Sequence, residues 1–324
     1  MTNDQWGESS KSVSPDEAFA ILGDETRLHI LETLREADEL LSFSELYERV
    51  NYDDYSNFDY HLEKLTGLFV RKTGEGYGLR GAGRRIVAAV LSGTVGEDLL
   101  VEPTLIDEQC PFCSAPVEVG FQQEHVELYC SECPGVVRDA NSKGKFFDDY
   151  GILSQFSLPP AGVRDRTPRE VLAAAWTWGH LDILADSTGV CSRCSASIEY
   201  SVTVCEDHDP AEGYCEQCGR RYAARFDVHC RNCHYSVKGI AIARLLANTE
   251  LLAFLTTHGI NPVAPKALGR ALATIGNYEE EILSTDPFEA RFTFATNGDA
   301  ITLTVSEQVA VTDVTRHDAS ESGY

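Results

Sequence analysis

Five Cys-x-x-Cys pairs lie in the second and last thirds of this chain, at Cys110/Cys113, Cys130/Cys133, Cys191/Cys194, Cys215/Cys218 and Cys230/Cys233. The eleventh cysteine, Cys205, stands three residues before His208, and no cysteine precedes Cys110. Two thiols separated by two residues aim at one tetrahedral ion, whereas a disulfide between them would strain the backbone. Redox-active pairs come singly beside a βαβ unit; here the spacing repeats in sets, so the pattern predicts structural zinc. Thiols kept reduced and ready for metal imply a cytoplasmic protein.

At 324 residues and 43% hydrophobic, the chain can bury two or three modest cores, and a multidomain α+β protein is expected. No stretch resembles a secretory signal or a membrane-spanning helix, so no membrane is expected as a partner. The formal net charge of −24 would ordinarily argue against nucleic-acid binding. Only seven of the basic residues are lysines, against twenty arginines, and the acids are spread along the whole length. This is the surface of a protein adapted to multimolar salt, where the Debye length falls to about 3 Å or less. Global charge then says little about partners, and local charge is the better guide.

The first metal module, Cys110, Cys113, Cys130 and Cys133, has sixteen residues between its pairs. Strand-like segments, Val117 to Phe121 and Val126 to Tyr129, flank a turn, and the whole reads as a zinc ribbon. His125 falls at the hairpin tip, away from the ligands. A helix announced by Thr167, Pro168 and Glu170 precedes the second module and carries Leu172, Trp176 and Trp178 as packing residues. The second module has eight ligands, Cys191, Cys194, Cys205, His208, Cys215, Cys218, Cys230 and Cys233, enough for two ions, so up to three zinc ions are expected in all. Ser195 to Val204 and Gly219 to Val228 read as strands of about 30 Å, too long for both ends of either to share one ion. Reach favours nesting: Cys205, His208, Cys215 and Cys218 at one end of a hairpin, Cys191, Cys194, Cys230 and Cys233 at the other. Cross-bracing, first pair with third and second with fourth, and a single site with Cys205 and His208 idle remain alternatives, and His229 or His234 can substitute for a cysteine. Four protein ligands leave no open position on zinc, so these sites are not expected to be catalytic.

Residues 15–95 read as four helices, a hairpin and a last helix. Ser14 to Glu17 start the first, Leu28, Ile30, Leu31 and Leu34 line the second, and Ser44 caps a third holding Leu46 and Val50. The fourth, Tyr55 to Leu65, buries Phe58, Leu62 and Leu65 and stops at Gly67. Two strands, Phe69 to Lys72 and Tyr77 to Arg80, precede a helix from about Gly83 to Leu91. A short helix followed by a second one is the helix-turn-helix order, whose second helix enters a DNA major groove.

The segments ILGDETRLHILETL (Ile21 to Leu34), LSFSELYERV (Leu41 to Val50), SNFDYHLEKLTGLFVRK (Ser56 to Lys72) and GYGLRGAG (Gly76 to Gly83) resemble the ArsR-type winged-helix regulators, in the form many haloarchaeal transcription factors use. The resemblance covers about the first quarter of the chain and implies a DNA-binding winged helix. Metal-sensing members carry ligands where this chain reads ELYERV and GRRIVAAVLSG, so metal sensing is not expected here. With Phe58, Leu62 and Leu65 inward, Ser56, Asn57, Tyr60 and Lys64 would face base edges, His61 would sit beside the core stripe, packed or facing phosphate, and Arg71, Lys72 and Arg80 would reach phosphates. From Lys64 to Arg85 there are six basic residues against Glu75 alone. Ile86, Val87, Val90 and Leu91 offer a homodimer seam.

Beyond the metal modules, Lys238 to His258 reads as one amphipathic helix and Lys266 to Ile275 as another. Strands at Ala290 to Ala295, Ala300 to Val305 and Val309 to Val314 complete a small α+β unit, a place for an unknown effector, a dimer contact or a cap. The expected divisions are a flexible tail at 1–14, the winged helix at 15–95, a zinc ribbon at 104–140, a helical connector at 141–188, a double zinc-knuckle module at 189–236, the α+β unit at 237–316 and a tail at 317–324. No P-loop, G-x-S-x-G, H-E-x-x-H or G-x-G-x-x-G motif points to an enzyme. The expectation is a sequence-specific transcriptional regulator binding double-stranded DNA; the alternative is a zinc-knuckle protein that holds RNA or protein.

Overall fold

A computed structural model describes residues 13–37, 39–96, 98–137, 151–211, 213–307 and 309–317, in two compact units, Met1–Glu97 and Asp98–Tyr324. The expected tails lie almost wholly outside the described residues.

In the first unit, α1 (Pro15–Leu22), α2 (Glu25–Glu36), α3 (Phe43–Val50) and α4 (Tyr55–Leu65) lead to a hairpin of β1 (Val70–Lys72) and β2 (Tyr77–Leu79), then α5 (Gly81–Leu91). Ser14, Asp24, Ser42 and Asp54 cap the first four helices, each accepting a backbone N–H three residues on. The cap of α3 is therefore Ser42 and not Ser44, because Glu45 reaches back to the Ser42 N–H and closes a capping box. Ile30, Leu31, Leu46, Phe58, Leu62, Leu65 and Val70 are at most 1% exposed and form one core. Val87 of α5 is buried in that same core, so it is not available to the expected dimer seam; Leu91, 56% exposed, is.

In the second unit, β3 (Val101–Gln109), β4 (Pro116–Gln122), β5 (His125–Cys130) and β6 (Gly151–Ser157) form an antiparallel sheet in that order, followed by α6 (Pro168–Ser187). A second sheet holds β7 (Glu199–Val204), β8 (Ala224–His229) and β9 (Ser236–Gly239). After α7 (Ile242–Leu245), α8 (Thr249–Thr257) and α9 (Leu268–Gly276), a four-stranded meander runs through β10 (Glu279–Thr285), β11 (Phe288–Thr296), β12 (Asp299–Ser306) and β13 (Val311–His317).

Three expectations change. The segment expected as a helical connector begins, among its described residues, with β6, which pairs with β5 and extends the ribbon hairpin into a sheet. The single helix expected from Lys238 is β9, α7 and α8, because the Asn248 side chain accepts from the Glu250 and Leu251 N–H groups and restarts the helix there. The C-terminal sheet gains β10, whose Glu-Glu-Glu start hides its alternation; Glu280 and Ile282 lie on the less exposed side. The pieces expected as separate modules also share one core, with Leu128, Trp176, Phe226, Leu255, Phe292 and Leu303 all in it. Polar ties cross the same ground. The Tyr222 and Tyr278 rings stack at 4.0 Å, the Tyr222 hydroxyl donates to the Gly276 carbonyl, and Glu280 accepts the N–H groups of Ala223 and Ala224.

Candidate metal centres and nucleic-acid face

Four of the five Cys-x-x-Cys turns share one backbone. The first cysteine N–H donates to the carbonyl five residues on: Cys110 to Ala115, Cys191 to Ala196, Cys215 to Arg220 and Cys230 to Tyr235, each at 2.8 Å. Its carbonyl accepts the N–H of the residue after the second cysteine, and that residue, Ser114, Ser195, Gly219 or His234, has φ between 58° and 68°. Gly219 takes this left-handed conformation without strain. The turn closes tightly and leaves both thiols on its open side.

Strand register then decides which turns meet. Val117 pairs with Cys130 across β4 and β5, so Cys110/Cys113 before β4 and Cys130/Cys133 after β5 come to one end of that hairpin. Glu199 pairs with His229 and Val204 with Ala224 across β7 and β8. Cys205 therefore stands at the opposite end of this second hairpin from Cys230. The ligand atoms fall into three groups, each within 4.8 Å of one another: Cys110, Cys113, Cys130, Cys133; Cys191, Cys194, Cys230, Cys233; and Cys205, His208, Cys215, Cys218. This is the nested arrangement and not the cross-braced one, and His229 and His234 belong to none of the three groups.

The separations fit a metal. Cys110 to Cys133 is 3.5 Å, Cys113 to Cys130 3.4 Å, Cys191 to Cys233 3.7 Å and Cys194 to Cys230 3.6 Å between sulfurs. Disulfide sulfurs lie at about 2.05 Å, whereas a tetrahedron with ~2.3 Å metal–sulfur bonds has edges of about 3.8 Å. In the third group the Cys218 sulfur is 3.6 Å from His208 Nδ1, and His208 Nε2 lies 3.0 Å from the Arg221 carbonyl. Nε2–H donating to that carbonyl leaves Nδ1 as the bare nitrogen a metal requires.

The turns also prepare thiolates. The Ala196 N–H, with the Asn232 amide, brings the Cys194 thiol down to about 6. The Asp209 and Cys218 N–H groups bring Cys215 down to about 6. Burial pushes Cys110 up to about 11 and Cys133 higher still, and burial followed by the neighbouring Cys218 pushes Cys205 up to about 11. Thiolates gathered at one point repel one another, and a cation is what lets them share the site. With four protein ligands each group is closed, so the arrangement suits a structural ion and gives water no place to be activated.

Arg221, which the sequence did not single out, links two of the groups. Its carbonyl receives His208, its N–H donates to the Val136 carbonyl at 2.9 Å, its Nε donates to the Gly135 carbonyl at 2.9 Å, and its guanidinium lies 3.8 Å over the Phe112 ring. Phe112 sits inside the first Cys110 turn and Gly135 just after Cys133. The site missed from sequence is thus a side chain whose partners lie up to 109 positions away.

In the first unit, Ser56, Asn57, Tyr60 and Lys64 are exposed on one side of α4, while Phe58, Leu62 and Leu65 are buried on the other. Asn57 donates to the Tyr52 hydroxyl at 2.7 Å, and the Lys64 ammonium lies 5.3 Å from the centre of the Tyr60 ring. His61, expected among the contacts, is withdrawn: it is 6% exposed, wedged between the Tyr52 and Tyr60 rings with Nδ1 3.5 Å from Asp24. Being one position from Leu62 turns it into the core stripe. Arg71, Lys72 and Arg80 are exposed, Lys72 over the Tyr77 ring and Arg80 donating to the Gly67 carbonyl.

Two family models match the chain: a domain of unknown function (DUF7347) over residues 15–90, and a domain of unknown function (DUF7351) over residues 107–311, more than half of the sequence. Comparison with curated proteins and with solved structures finds no match. Among the described residues, no helix is long and apolar enough to cross a membrane.

Proposed function

We propose that this chain, which belongs to the DUF7351 family, is a sequence-specific, double-stranded-DNA-binding transcriptional regulator whose winged helix-turn-helix is the first unit and whose second unit is held by three structural zinc ions. The observation that carries the reading is the division of α4 into two faces. Phe58, Leu62 and Leu65 are committed to the core, while Ser56, Asn57, Tyr60 and Lys64 are exposed beside a hairpin bearing Arg71, Lys72 and Arg80. A short helix, a turn and an exposed second helix next to such a hairpin is the geometry of groove entry with flanking phosphate contacts. In a chain of net charge −24, six basic residues against one acid between Lys64 and Arg85 mark a surface kept for an anion. Zinc fits the three tetrads because sets of four cysteines, or of three cysteines and one histidine, with sulfur edges near 3.6 Å are its structural ligand geometry. Closed sites supply stability and no chemistry, in keeping with a binding protein that is not an enzyme. A second copy, in contact at the exposed Leu91, would present two recognition helices to a two-fold operator.

Selection of bound duplexes from a random pool in multimolar potassium chloride tests the reading. An enriched sequence motif that disappears with Tyr60→Ala is the expected result. Binding with no enriched motif, unaffected by Tyr60→Ala, sinks the regulator in favour of a non-specific role.

A further inference from the structure

Beside the hairpin of the first unit, against the end of α2, lies a cavity of about 300 Å³. Its walls divide by chemistry. Leu34, Leu40 and Leu79 are apolar, while Arg35, Arg71 and Arg84 bring three guanidinium groups to it and Glu39 a single carboxylate. Arg84 donates to the Leu79 carbonyl at 2.8 Å, and Glu39 lies 3.8 Å from Arg49 outside the cavity. Among the described residues the guanidiniums of Arg35 and Arg71 have no hydrogen bond or ion pair. Arg35 and Arg71 are exposed, and what sets them apart is that they line one cavity together with Arg84 against a single carboxylate.

Gly78 keeps the space open. It stands directly across the hairpin from Arg71, and a Cβ there would lie 2.6 Å from the Leu40 Cδ2 and 3.5 Å from the Arg71 Nε. Glycine weakens a strand interior, and its place here is where a close approach is required. At ~30 Å³ for each water-sized group, the cavity holds about ten non-hydrogen atoms. Three positive groups against one negative match a dianion, and a phosphate monoester carries about −1.5 to −2 near neutral pH.

We propose that this cavity binds a small phosphate monoester, with its head among Arg35, Arg71 and Arg84 and its apolar part on Leu34, Leu40 and Leu79. Guanidinium forks match phosphate oxygens in pairs, which makes the contact short-range and keeps it useful where salt screens longer-range attraction. Occupancy ties Arg71 of β1 to Arg35 of α2 through the ligand, and so fixes the hairpin on the helices. The binding stands on the cavity alone; its effect on DNA affinity would follow only under the regulator reading.

Calorimetric titration of the full-length, metal-loaded protein with hexyl phosphate tests it. Saturable one-to-one binding is expected, weakened about tenfold or more by Arg35→Gln and by Arg71→Gln, since each removes charge-assisted hydrogen bonds. Gly78→Ala should weaken it while leaving the circular dichroism unchanged, because the tip of the Leu40 side chain, which lines the cavity, must move. No saturable binding to the natural protein overturns the proposal, as does equal binding to Gly78→Ala and Arg71→Gln. A competing DNA duplex separates the two sources of phosphate. Binding of hexyl phosphate that persists at saturating duplex supports a free ligand, and displacement would mean that the cavity seats a backbone phosphate instead. Failure of the titration leaves the duplex selection unaffected, so the two readings fail separately.

Discussion

Around α4 the first unit packs Phe58, Leu62 and Leu65 at no more than 1% exposure into a cluster whose buried members come from α2 to α5 and the hairpin, with Ala18, Ile21 and Leu22 of α1 packed against it, and it contains no cysteine. Around the Cys191 group, the buried cluster is Ile198 and Val228 beside Cys191 and Cys230 themselves. The first region closes its own core; at the Cys191 end of the β7–β8 hairpin only two aliphatic side chains are buried, while the other end of the hairpin, with Ala224 and Phe226, joins the large core of the second unit. The thiols there replace missing apolar mass, and binding a structural zinc contributes about 10–16 kcal/mol of the folding free energy in comparable small modules. The asymmetry teaches where each part of the molecule is vulnerable: the first to cavities, the second to loss of an ion.

Metal removal should therefore produce the largest effect. A strong chelator should release about three zinc ions per chain, read by elemental analysis, with hydrogen-exchange protection lost over β7, β8 and the Cys-x-x-Cys turns. Protection over α2, α4 and α5 should stay. The converse break is Phe58→Ala, which should cost about 3–5 kcal/mol by emptying a fully buried site. It should unfold the first unit with the zinc content unchanged. If chelation melts both units together, or Phe58→Ala releases metal, the two regions are not independent in the way their cores imply.

Within the second unit, the Cys205 group can be set against the Cys191 group. Cys205→Ala should free Cys215 and Cys218 for alkylation while Cys230 and Cys233 stay protected by their own ion. Exposure of Cys230 with Cys215 still protected would reverse the pairing. Arg221→Ala should leave all twelve ligands in place but weaken metal retention at the Cys205 group by about 10–100-fold, the cost of losing an outer partner, because the carbonyl that orients His208 is held by that residue's other contacts.

Much of this was legible from residue spacing. The ligand set follows from the repeated Cys-x-x-Cys interval, and the nested pairing is expected from strands of ten residues; β7 and β8 are six residues each, and their register still holds Cys205 and Cys230 at opposite ends. The first four helices of the first unit announce themselves mainly through a 3.6-residue apolar period; the cap is legible at Ser14, whereas α3 is capped by Ser42, two residues before the expected Ser44. What stayed hidden depends on partners far away in sequence. β6 reads as an ordinary apolar stretch until β5 pairs with it, and β10 begins with three glutamates, two on its exposed side and Glu280 on the other, where it accepts the Ala223 and Ala224 N–H groups. Arg221 has no local signature at all. His61 shows the limit of a helical wheel: one position from Leu62 it falls on the boundary of the stripe, and only packing against Tyr52 and Asp24 places it inside.

The recognition surface offers a smaller contrast, between base-reading and phosphate contacts. Tyr60→Ala should cost about 1–3 kcal/mol on particular base pairs, while Arg71→Ala and Lys72→Ala should weaken all sequences alike. Asn57→Ala also removes a hydrogen bond to Tyr52, so Tyr52→Phe serves as its control. Measured by titration of specific and random duplexes, identical behaviour of all four would remove α4 from the groove.

The smallest effect expected is a pH response in the C-terminal part. His258 Nε2 lies 2.9 Å from the Asp299 carboxylate and Nδ1 lies 2.8 Å from the Phe254 carbonyl. Both partners are acceptors, so only the imidazolium, with a proton on each nitrogen, satisfies both. The Asp299 hydrogen bond, then the Phe254 carbonyl, raise the His258 pKa above its ordinary value. Because the folded value is the higher one, the stabilisation is fully present below the unfolded value of about 6.5 and is lost as pH rises through the raised folded value. Asp299 is 31% exposed, so solvent screening holds the contribution to less than about 1 kcal/mol. Denaturant midpoints followed upward from about pH 6 should fall slightly more in the natural protein than in Asp299→Asn, and the difference should shrink as salt is added. Equal slopes for the two would mean that the pair is held by packing around Phe254 and carries no charge of its own.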